Sequence, residues 1–222
     1  MLFKVVSKGE PAGSLQLVPR DVVVAGWTGR DASAVQHHID ELAQIGVAPP
    51  SSVPLYYRVG VELVTQSGII DVLGDNTSGE IEPLILVSDG KFWLGLGSDH
   101  TDRQLETVSV AASKQICPKP IADTLWPFDE VQDHLDALLL SCRIKEGGDW
   151  VPYQQGSFAS IRPIPSLIKG SNLATGGALL CGTLAAIGGV RPAVDYEMVL
   201  SDPVLERHIT LTYHVRVLPM IA

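Results

Sequence analysis

The sequence is short of cysteine and of positive charge. Its 222 residues include 3 cysteines, Cys117, Cys142 and Cys181, which lie too far apart for a Cys-x-x-Cys metal site and give no disulfide framework. Lysine and arginine number 16 against 25 aspartate and glutamate, a net charge of −9. This balance argues against a nucleic-acid-binding protein, because such proteins present a basic face. The hydrophobic content of 45% excludes a disordered chain.

Apolar runs that would cross a membrane are also scarce. Residues 170–190 carry no charge, which is about the length that a membrane helix needs. Glycine recurs in this stretch, at positions 170, 176, 177, 182, 188 and 189, so a helix would be unstable and short buried strands joined by tight turns are favoured. The N-terminal residues lack the apolar region of a secretory signal. We expect no membrane association, and the few unpaired cysteines indicate a cytoplasmic protein.

The spacing of apolar residues predicts many strands and two helices. Predicted strands cover residues 22–25, 61–64, 69–72, 81–87, 92–96 and 208–218. One helix is capped by Asp31 or Ser33 and runs to Gly46. A second, long helix is predicted at about 128–145, where apolar residues recur at helical period, namely Phe128, Val131, Leu135, Leu138, Leu139 and Cys142. The fold class is therefore α+β and mostly β.

Carboxylates form the first candidate site. Glu80 and Glu82 alternate along a predicted strand, so their side chains point to the same face and repel each other. A hard divalent cation relieves that repulsion, and Asp99 offers a third oxygen ligand for Mg²⁺, Mn²⁺ or Ca²⁺. The alternative is a solvated strand face that happens to carry glutamate at alternate positions.

A histidine and a lysine complete the candidates. His38 and Glu41 share one face of the first helix, and the carboxylate would make the imidazole a better base for a water molecule. His37 and Asp40 have the same spacing, so periodicity does not choose between the pairs. Lys114 lies between apolar neighbours and would stabilise a developing anion if it faces a pocket, although surface lysines are commoner.

Several segments, in chain order, resemble motifs of the fumarylacetoacetate hydrolase superfamily. Residues 38–41, His-Ile-Asp-Glu, are similar to its His-x-x-Glu dyad, which selects His38 over His37. Residues 80–84 resemble its Glu-x-Glu-Leu metal strand. Residues 98–106 resemble its Asn-Asp-Val-Ser-x-Arg-Asp-Leu-Gln segment, and the resemblance assigns the third metal ligand to Asp99 and a substrate-side arginine to Arg103.

Two later segments extend the resemblance. Residues 113–120 look like the catalytic-lysine segment of that superfamily, Gly-Lys-x-Phe-Asp-x-x-x-Pro, with Lys114 as the lysine. Residues 177–188 resemble the Gly-Thr-Pro-x-Gly-x-Gly loop that closes the site, and this makes Gly182 and Thr183 the expected substrate-binding residues.

The sequence also departs from the superfamily pattern. Leu184 replaces the proline of the closing loop, and Glu106 replaces the final glutamine of the third motif. The interval between Glu82 and Asp99 is shorter than usual, so a connecting helix is missing. A lysine expected before the closing segment is not obvious, and Arg58 is the nearest candidate.

The resemblance implies a mixed β-roll or β-barrel in a single domain over residues 1–222. Residues 1–50 would supply an N-terminal strand and a short lid helix, and residues 51–222 a β-rich catalytic core. It further implies a homodimer. The apolar residues 209–221 would suit either a core or an interface.

The implied activity is that of a metal-dependent hydrolase. Mg²⁺ or Mn²⁺, with Ca²⁺ as a possible substitute, would assist C–C bond cleavage in a small 1,3-dicarbonyl or 2-oxo acid through a metal-bound enolate. His38 and Glu41 would activate water, and Lys114 would hold the enolate oxygen. Decarboxylation, hydration or isomerisation through the same enolate is the alternative, and a catalytically inactive binding protein on this fold is a third possibility.

Overall fold

The computed structural model describes residues 1–44 and 49–221, without the side chains of residues 38, 41, 42 and 44. The strands are β1 (Leu2–Ser7), β2 (Glu10–Gln16), β3 (Asp21–Gly26), β4 (Leu55–Val59), β5 (Val64–Thr65), β6 (Ile69–Leu73), β7 (Thr77–Ser78), β8 (Ile81–Ser88), β9 (Lys91–Ser98), β10 (Thr101–Asp102), β11 (Lys119–Pro120), β12 (Thr124–Pro127), β13 (Leu139–Glu146), β14 (Asp149–Ser157), β15 (Gly177–Leu180), β16 (Asp195–Asp202) and β17 (Arg207–Leu218). The helices are α1 (Ala32–Gln44), α2 (Arg103–Glu106), α3 (Val110–Gln115) and α4 (Ile164–Ser171), with single 3₁₀ turns at Val61–Leu63, Phe128–Glu130, Leu135–Ala137 and Phe158–Ser160.

Two sheets hold most of the strands. The larger has eight strands in the order β2-β1-β12-β9-β8-β15-β3-β4, and the smaller has five in the order β14-β13-β16-β17-β6. In the larger sheet, β8 and β9 form an antiparallel hairpin, whereas β15 pairs with β3 in parallel. This sheet is mixed, and its central strands come from distant parts of the chain.

The larger sheet is covered on both faces, and most residues of its central strands are therefore apolar. Alternate residues of β3 divide between two clusters, Val23 with Ala25 on one face and Val22 with Val24 on the other. The first face packs against the smaller sheet, whose buried residues, such as Met198 and Leu200, belong to the same cluster. A continuous apolar run is typical of a strand buried on both faces.

The fold class is confirmed as α+β and mostly β, but the long helix predicted at 128–145 is wrong. Two 3₁₀ turns, Phe128–Glu130 and Leu135–Ala137, occupy its first half, and strand β13 occupies the second. The turns bury Phe128, Val131 and Leu135 at a spacing close to helical. From Leu138 onward the buried positions alternate, which is the period of a strand.

Other predicted elements need smaller corrections. Residues 61–63 form a 3₁₀ turn, so the strand predicted there begins only at Val64. Asp31, not Ser33, caps α1, because its Oδ1 accepts hydrogen bonds from the Ser33 and Ala34 amides at 2.9 and 3.2 Å. The predicted end of this helix at Gly46 lies outside the described residues. Residues 170–190 contain β15 followed by loop, and α4 was not predicted.

None of the helices in the described part of the chain is both long enough and apolar enough to cross a membrane.

Candidate metal centre and active site

The three carboxylates singled out in the sequence converge at one end of the β8–β9 hairpin. Glu80 immediately precedes β8, Glu82 lies within it, and Asp99 immediately follows β9. The Glu80 amide donates to the Asp99 carbonyl at 3.3 Å, and the Asp99 amide donates to the Glu80 carbonyl at 3.0 Å. One carboxylate oxygen from each residue lies within 4.8 Å of the other two. The hairpin register therefore brings two carboxylates that are close in sequence to a third that is distant.

Burial makes this cluster of negative charge costly. Glu82 is buried, and this burial, together with the nearby Asp99 carboxylate, raises its pKa well above the usual value. Its Oε2 accepts a hydrogen bond from the Gly182 amide at 2.8 Å. Burial would also raise the pKa of Asp99, but the Lys114 and Lys119 ammonium groups outweigh it and lower that pKa below its ordinary value.

The donor set fits a hard divalent cation. All three groups offer carboxylate oxygens, the ligand type that Mg²⁺, Mn²⁺ and Ca²⁺ prefer. Asp99 Oδ1 is fully buried and accepts no hydrogen bond within residues 1–44 and 49–221, although the Lys119 ammonium lies 3.2 Å away. Buried oxygens normally have a hydrogen-bond partner, so an oxygen without one, beside two further carboxylates, is suited to a metal ligand.

Lys114 points into the site and is not the surface lysine that was the alternative reading. It lies in the last turn of α3, is buried, and donates a hydrogen bond to Asp99 Oδ2. Its Nζ lies 5.6 Å from the centroid of the Tyr57 ring. Burial would lower its pKa, but the carboxylates of Asp99 and Glu80 outweigh burial and raise it, so the side chain is an ammonium.

Lys119 is a second lysine on Asp99 that sequence reasoning missed. Its side chain has no exposed surface, and its Nζ donates to the carbonyls of His100 and Cys117, the latter at 3.0 Å. Burial lowers its pKa, and the neighbouring Lys114 adds to this effect. The available signal was its place between Pro118 and Pro120, in the segment that carries Lys114.

Arg103, expected on the substrate side, lines the cavity and also contacts carboxylates of the protein. Its Nη2 lies 3.3 Å from Glu80 Oε2, and its Nη1 lies 2.9 Å from Glu106 Oε2. Its Nε donates to Ser78 Oγ at 2.6 Å. In this arrangement Arg103 holds Glu80 in place, and Glu106, which departs from the superfamily pattern, occupies the other edge of the guanidinium.

The Gly182–Thr183 loop closes over β8. Gly182 has φ +95°, and a Cβ on it would lie 1.7 Å from Thr28 Oγ1, so only glycine fits. Thr183 Oγ1 donates to the Ile81 carbonyl at 2.7 Å and accepts from Gln154 Nε2 at 2.8 Å. Gln154, also missed from the sequence, accepts from the Ile81 amide at 3.0 Å. These bonds fix the loop to Ile81, the residue between the two glutamates.

A buried hydrogen-bond network around His100 packs against the end of the β8–β9 hairpin. His100 Nδ1 lies 3.1 Å from the Tyr213 hydroxyl, and its Nε2 lies 2.9 Å from Thr77 Oγ1. Burial, with help from Lys119 and Arg103, lowers the pKa of His100 to about 3, so the imidazole is neutral. Its place next to Asp99 makes it part of the framework that orients this ligand.

The predicted dyad of His38 and Glu41 lies only partly within the described structure. His38 and Glu41 lie in α1, but their side chains are outside the described residues. The first turn of α1 reaches the site, because Ala34 and Val35 line the same cavity as Glu80 and Lys114. The choice between His37 and His38 stays a prediction.

The carboxylates open onto a cavity of about 920 Å³. Its charged end is lined by Glu80, Glu82, Arg103, Glu106 and Lys114. The rest of its wall includes the apolar or aromatic residues Ala25, Trp27, Ala34, Val35, Tyr57, Val110, Leu184, Ala185, Ala186 and Val190 and the polar or charged residues Thr28, Arg30, Asp31, Thr107, Gln155, Ser160 and Thr183. The site is thus a polar cluster at one end of a largely apolar cleft, a common form for a small-molecule site.

Solved structures of other proteins share this fold. Cg1458 superposes with a TM-score of 0.67 at 16% identity, over 91% of this chain and 77% of that one. A 2-keto-3-deoxy-D-arabinonate dehydratase, complexed with magnesium and 2,5-dioxopentanoate, gives a TM-score of 0.64 at 17% identity, over 91% and 75% of the two chains. A protein from Mycobacterium abscessus gives 0.59 at 16% identity, over 94% and 87%. At these identities the likeness concerns the fold.

The chain belongs to the family of proteins of unknown function DUF2848, whose family model matches residues 25–213. A comparison with curated proteins found no match.

Proposed function

We propose that this chain is a divalent-metal-dependent enzyme that acts on small 2-oxo acids, as a divergent member of the fumarylacetoacetate hydrolase superfamily. The observation that carries the proposal is the meeting of Glu80, Glu82 and Asp99 beside Lys114 at the charged end of the cavity. The order of motifs along the chain supports it. So does the shared fold with a dehydratase whose structure contains magnesium.

Glu80, Glu82 and Asp99 would hold Mg²⁺ or Mn²⁺, with Ca²⁺ as a possible substitute. When bound there, the cation supplies Lewis acidity, which polarises the oxo group of the substrate. Glu82 must lose a proton before it can act as a ligand, and the cation compensates for the charge that burial otherwise disfavours.

The chain's own residues would divide the remaining work. Lys114 is charged and buried, so its ammonium would stabilise negative charge that develops on an enolate oxygen. His38 and Glu41, carried by the helix that borders the cavity, would take a proton from water. Gly182 and Thr183 would contact the substrate from the closing loop, and Arg103 would act by holding Glu80.

C–C bond hydrolysis of an acylpyruvate-like substrate is the first candidate reaction. The water activated by His38 would attack the acyl carbonyl, and Lys114 would hold the departing enolate. Dehydration of a 2-oxo acid is the second candidate, and the fold likeness to a 2-keto-3-deoxy-D-arabinonate dehydratase favours it. Decarboxylation or isomerisation would use the same metal-bound enolate.

The test is product analysis on four classes of substrate, with Mg²⁺ present and after chelation. Acylpyruvates, 3-deoxy-2-oxo sugar acids, oxaloacetate and 2-hydroxydienoates report hydrolysis, dehydration, decarboxylation and isomerisation or hydration respectively. We expect turnover of one class that stops on chelation and in Asp99→Ala, which should also lose Mg²⁺ binding by calorimetry. Unchanged Mg²⁺ affinity in Asp99→Ala would refute the ligand assignment. A folded wild type without affinity for Mg²⁺ or Mn²⁺ would support an inactive binding protein instead.

A further inference from the structure

The cavity extends well beyond the charged cluster. We propose that the substrate carries a bulky apolar group, aryl or branched alkyl, on the side remote from its 2-oxo acid head, and that a second carboxylate is disfavoured there. This inference rests on the proposed function, because the metal cluster fixes where the head lies. It goes further in naming what the rest of the cleft accepts.

Size is the first argument. The cleft measures about 920 Å³, which is near the upper end of the range of roughly 300–1,000 Å³ found for sites that bind drug-sized ligands. A bare three- to five-carbon acid would fill only the part beside Glu80, Glu82 and Lys114. The remaining volume needs an occupant, since an empty apolar cleft gives no binding energy.

The chemistry of the rest of the wall is the second argument. Three separate segments supply apolar surface to it: Trp27 after β3, Ala34 and Val35 at the start of α1, and residues 184–186 with Val190 in the closing loop. These segments are distant in sequence, so their meeting is a property of the fold and not of one apolar run. Such a wall favours alkyl and aromatic groups by the burial of apolar surface.

The charged residues that line the cavity give the third argument. Arg30 donates to both carboxylate oxygens of Asp136, each at 2.7 Å. Arg103 contacts Glu80 and Glu106, and Lys114 contacts Asp99. Thus every lysine and arginine on the cavity wall, within the part of the chain that is described, already has a carboxylate partner. A second substrate carboxylate would lose its hydration without gaining a cation.

Calorimetry with the Mg²⁺-loaded protein tests the proposal without turnover. The probes are oxalate, which presents only a chelating head, then phenylpyruvate for the apolar class and 2-oxoglutarate for the dicarboxylates, each compared with pyruvate. We expect phenylpyruvate to bind at least about tenfold more tightly than pyruvate, from burial of its ring, and 2-oxoglutarate to bind no better than pyruvate.

A pair of valine variants locates the effect. Val190 lines the cavity and Val204 lies elsewhere, and their exposed fractions are similar, 52% and 55%, so both tolerate a charge without loss of the fold. Val190→Asp should abolish the advantage of phenylpyruvate over pyruvate and leave oxalate binding intact, whereas Val204→Asp should change neither.

The outcomes separate the two proposals. Two results would refute the apolar group and leave the proposed function standing, provided that oxalate and pyruvate bind in the presence of Mg²⁺. In the first, phenylpyruvate binds the wild type no more tightly than pyruvate. In the second, the Val190→Asp variant still binds phenylpyruvate more tightly than pyruvate. If 2-oxoglutarate binds best, the site takes dicarboxylates and the inference is again wrong. If none of the acids binds to the Mg²⁺-loaded protein, both the proposed function and this inference are wrong.

Discussion

Lys119 Nζ lies 3.2 Å from Asp99 Oδ1, although neither side chain has any exposed surface. The opposite oxygen of the same carboxylate accepts from Lys114. Lys119 also donates to two backbone carbonyls, which fix it in place, whereas Lys114 faces the cavity. Asp99 therefore has one counter-ion built into the core and another that faces the cavity.

Removal of the inner counter-ion should destabilise the metal-free protein. Lys119→Met leaves Asp99 buried beside one ammonium and leaves two carbonyls without donors, which should cost about 3–5 kcal/mol of unfolding free energy. Added Mg²⁺ should recover more stability in this variant than in the wild type, because the cation takes over the missing charge. Denaturant unfolding with and without Mg²⁺ measures both effects.

Lys4→Met is the matched control for that experiment. Lys4 pairs with Asp123 at 2.8 Å on the surface, with 74% of its side chain exposed, so its loss should cost at most about 1 kcal/mol. Equal losses in the two variants would contradict a structural role for the buried lysine.

The closing loop should not tolerate a methyl group at position 182. Gly182→Ala combines a positive φ with a clash against Thr28 Oγ1, so the loop must move. The hydrogen bond from the backbone amide of residue 182 to the Glu82 carboxylate is then lost. Gly189→Ala has a similar φ, +87°, but meets no atom within 4 Å. We expect Gly189→Ala to cost about 1 kcal/mol from backbone strain, and Gly182→Ala to cost at least about 2 kcal/mol more.

Thermal unfolding and Mg²⁺ titration of the two glycine variants check this. Gly182→Ala should also weaken Mg²⁺ binding, because Glu82 loses the donor that orients it. The prediction is wrong if both variants retain the wild-type Mg²⁺ affinity and unfold at the same temperature.

Glu106 should weaken the binding of anions beside the metal. It pairs with Arg103 at 2.9 Å and is about one-third exposed, so Glu106→Gln removes a negative charge from the cavity wall at modest cost. We expect oxalate to bind the Mg²⁺-loaded variant about threefold more tightly, the size of effect that partly exposed charges give. Glu10→Gln, on the exposed strand β2, serves as the control in the same calorimetric titration and should leave affinity unchanged. Weaker oxalate binding in Glu106→Gln would show that Glu106 supports the site.

A second ion cluster, remote from the cavity, should govern stability in acid. Arg207 pairs with Glu130 at 2.6 Å and with Asp202 at 3.2 Å, and its guanidinium lies 4.4 Å from the centroid of the Trp126 ring. Arg207→Met leaves the carboxylates of Glu130 and Asp202 without this cation, which should lower the free energy of unfolding by about 3–5 kcal/mol. Arg216→Met, which breaks an exposed pair with Asp71, should cost at most about 1 kcal/mol.

The pH dependence of the same cluster follows from its pKa shifts. Burial would raise the pKa of Glu130 and of Asp202, but hydrogen bonds to both carboxylates outweigh it and lower each pKa below its ordinary value, 4.5 and 3.8 respectively. The stabilising contribution is therefore complete above these values and is lost as the pH falls below them. Unfolding free energies between pH 7 and pH 3 should decline less steeply in Arg207→Met than in the wild type. Parallel slopes would assign the acid sensitivity to other groups.

Local patterns predicted the strands well and failed where two periods overlap. Apolar runs identified β8 and β9, which are largely buried, and alternation identified β17, which is buried on one face. In residues 128–145 the 3₁₀ turns space Phe128, Val131 and Leu135 almost as a helix would. Leu139 was counted in the apolar stripe of the predicted helix. In the structure it is 45% exposed, whereas its neighbours Leu138 and Leu140 are buried, which is the alternation of a strand.

The site was only partly predictable for a related reason. Glu80, Glu82 and Asp99 could be grouped because their motif order resembles that of a known superfamily, and the structure brings these carboxylates together. Lys119 pairs with Asp99, and Gln154 binds backbone groups of Ile81 and Leu184, all of them distant in sequence, and no spacing rule marks such contacts. The contacts of Arg103 with Ser78 and Glu80 were likewise invisible, since they depend on how α2 sits beside β7.

The position of β3 between β4 and β15 has a consequence for synthesis of the chain. Its pairing with β4 becomes available early, but its other edge stays open until residues 177–180 leave the ribosome, because β15 is the strand that covers it. Throughout that interval the chain carries an unpaired edge of Val22, Val23 and Val24, a sequence prone to join other strands. Nascent chains interrupted before residue 177 should therefore aggregate through this edge, and a chain in synthesis should depend on chaperones until β15 is made.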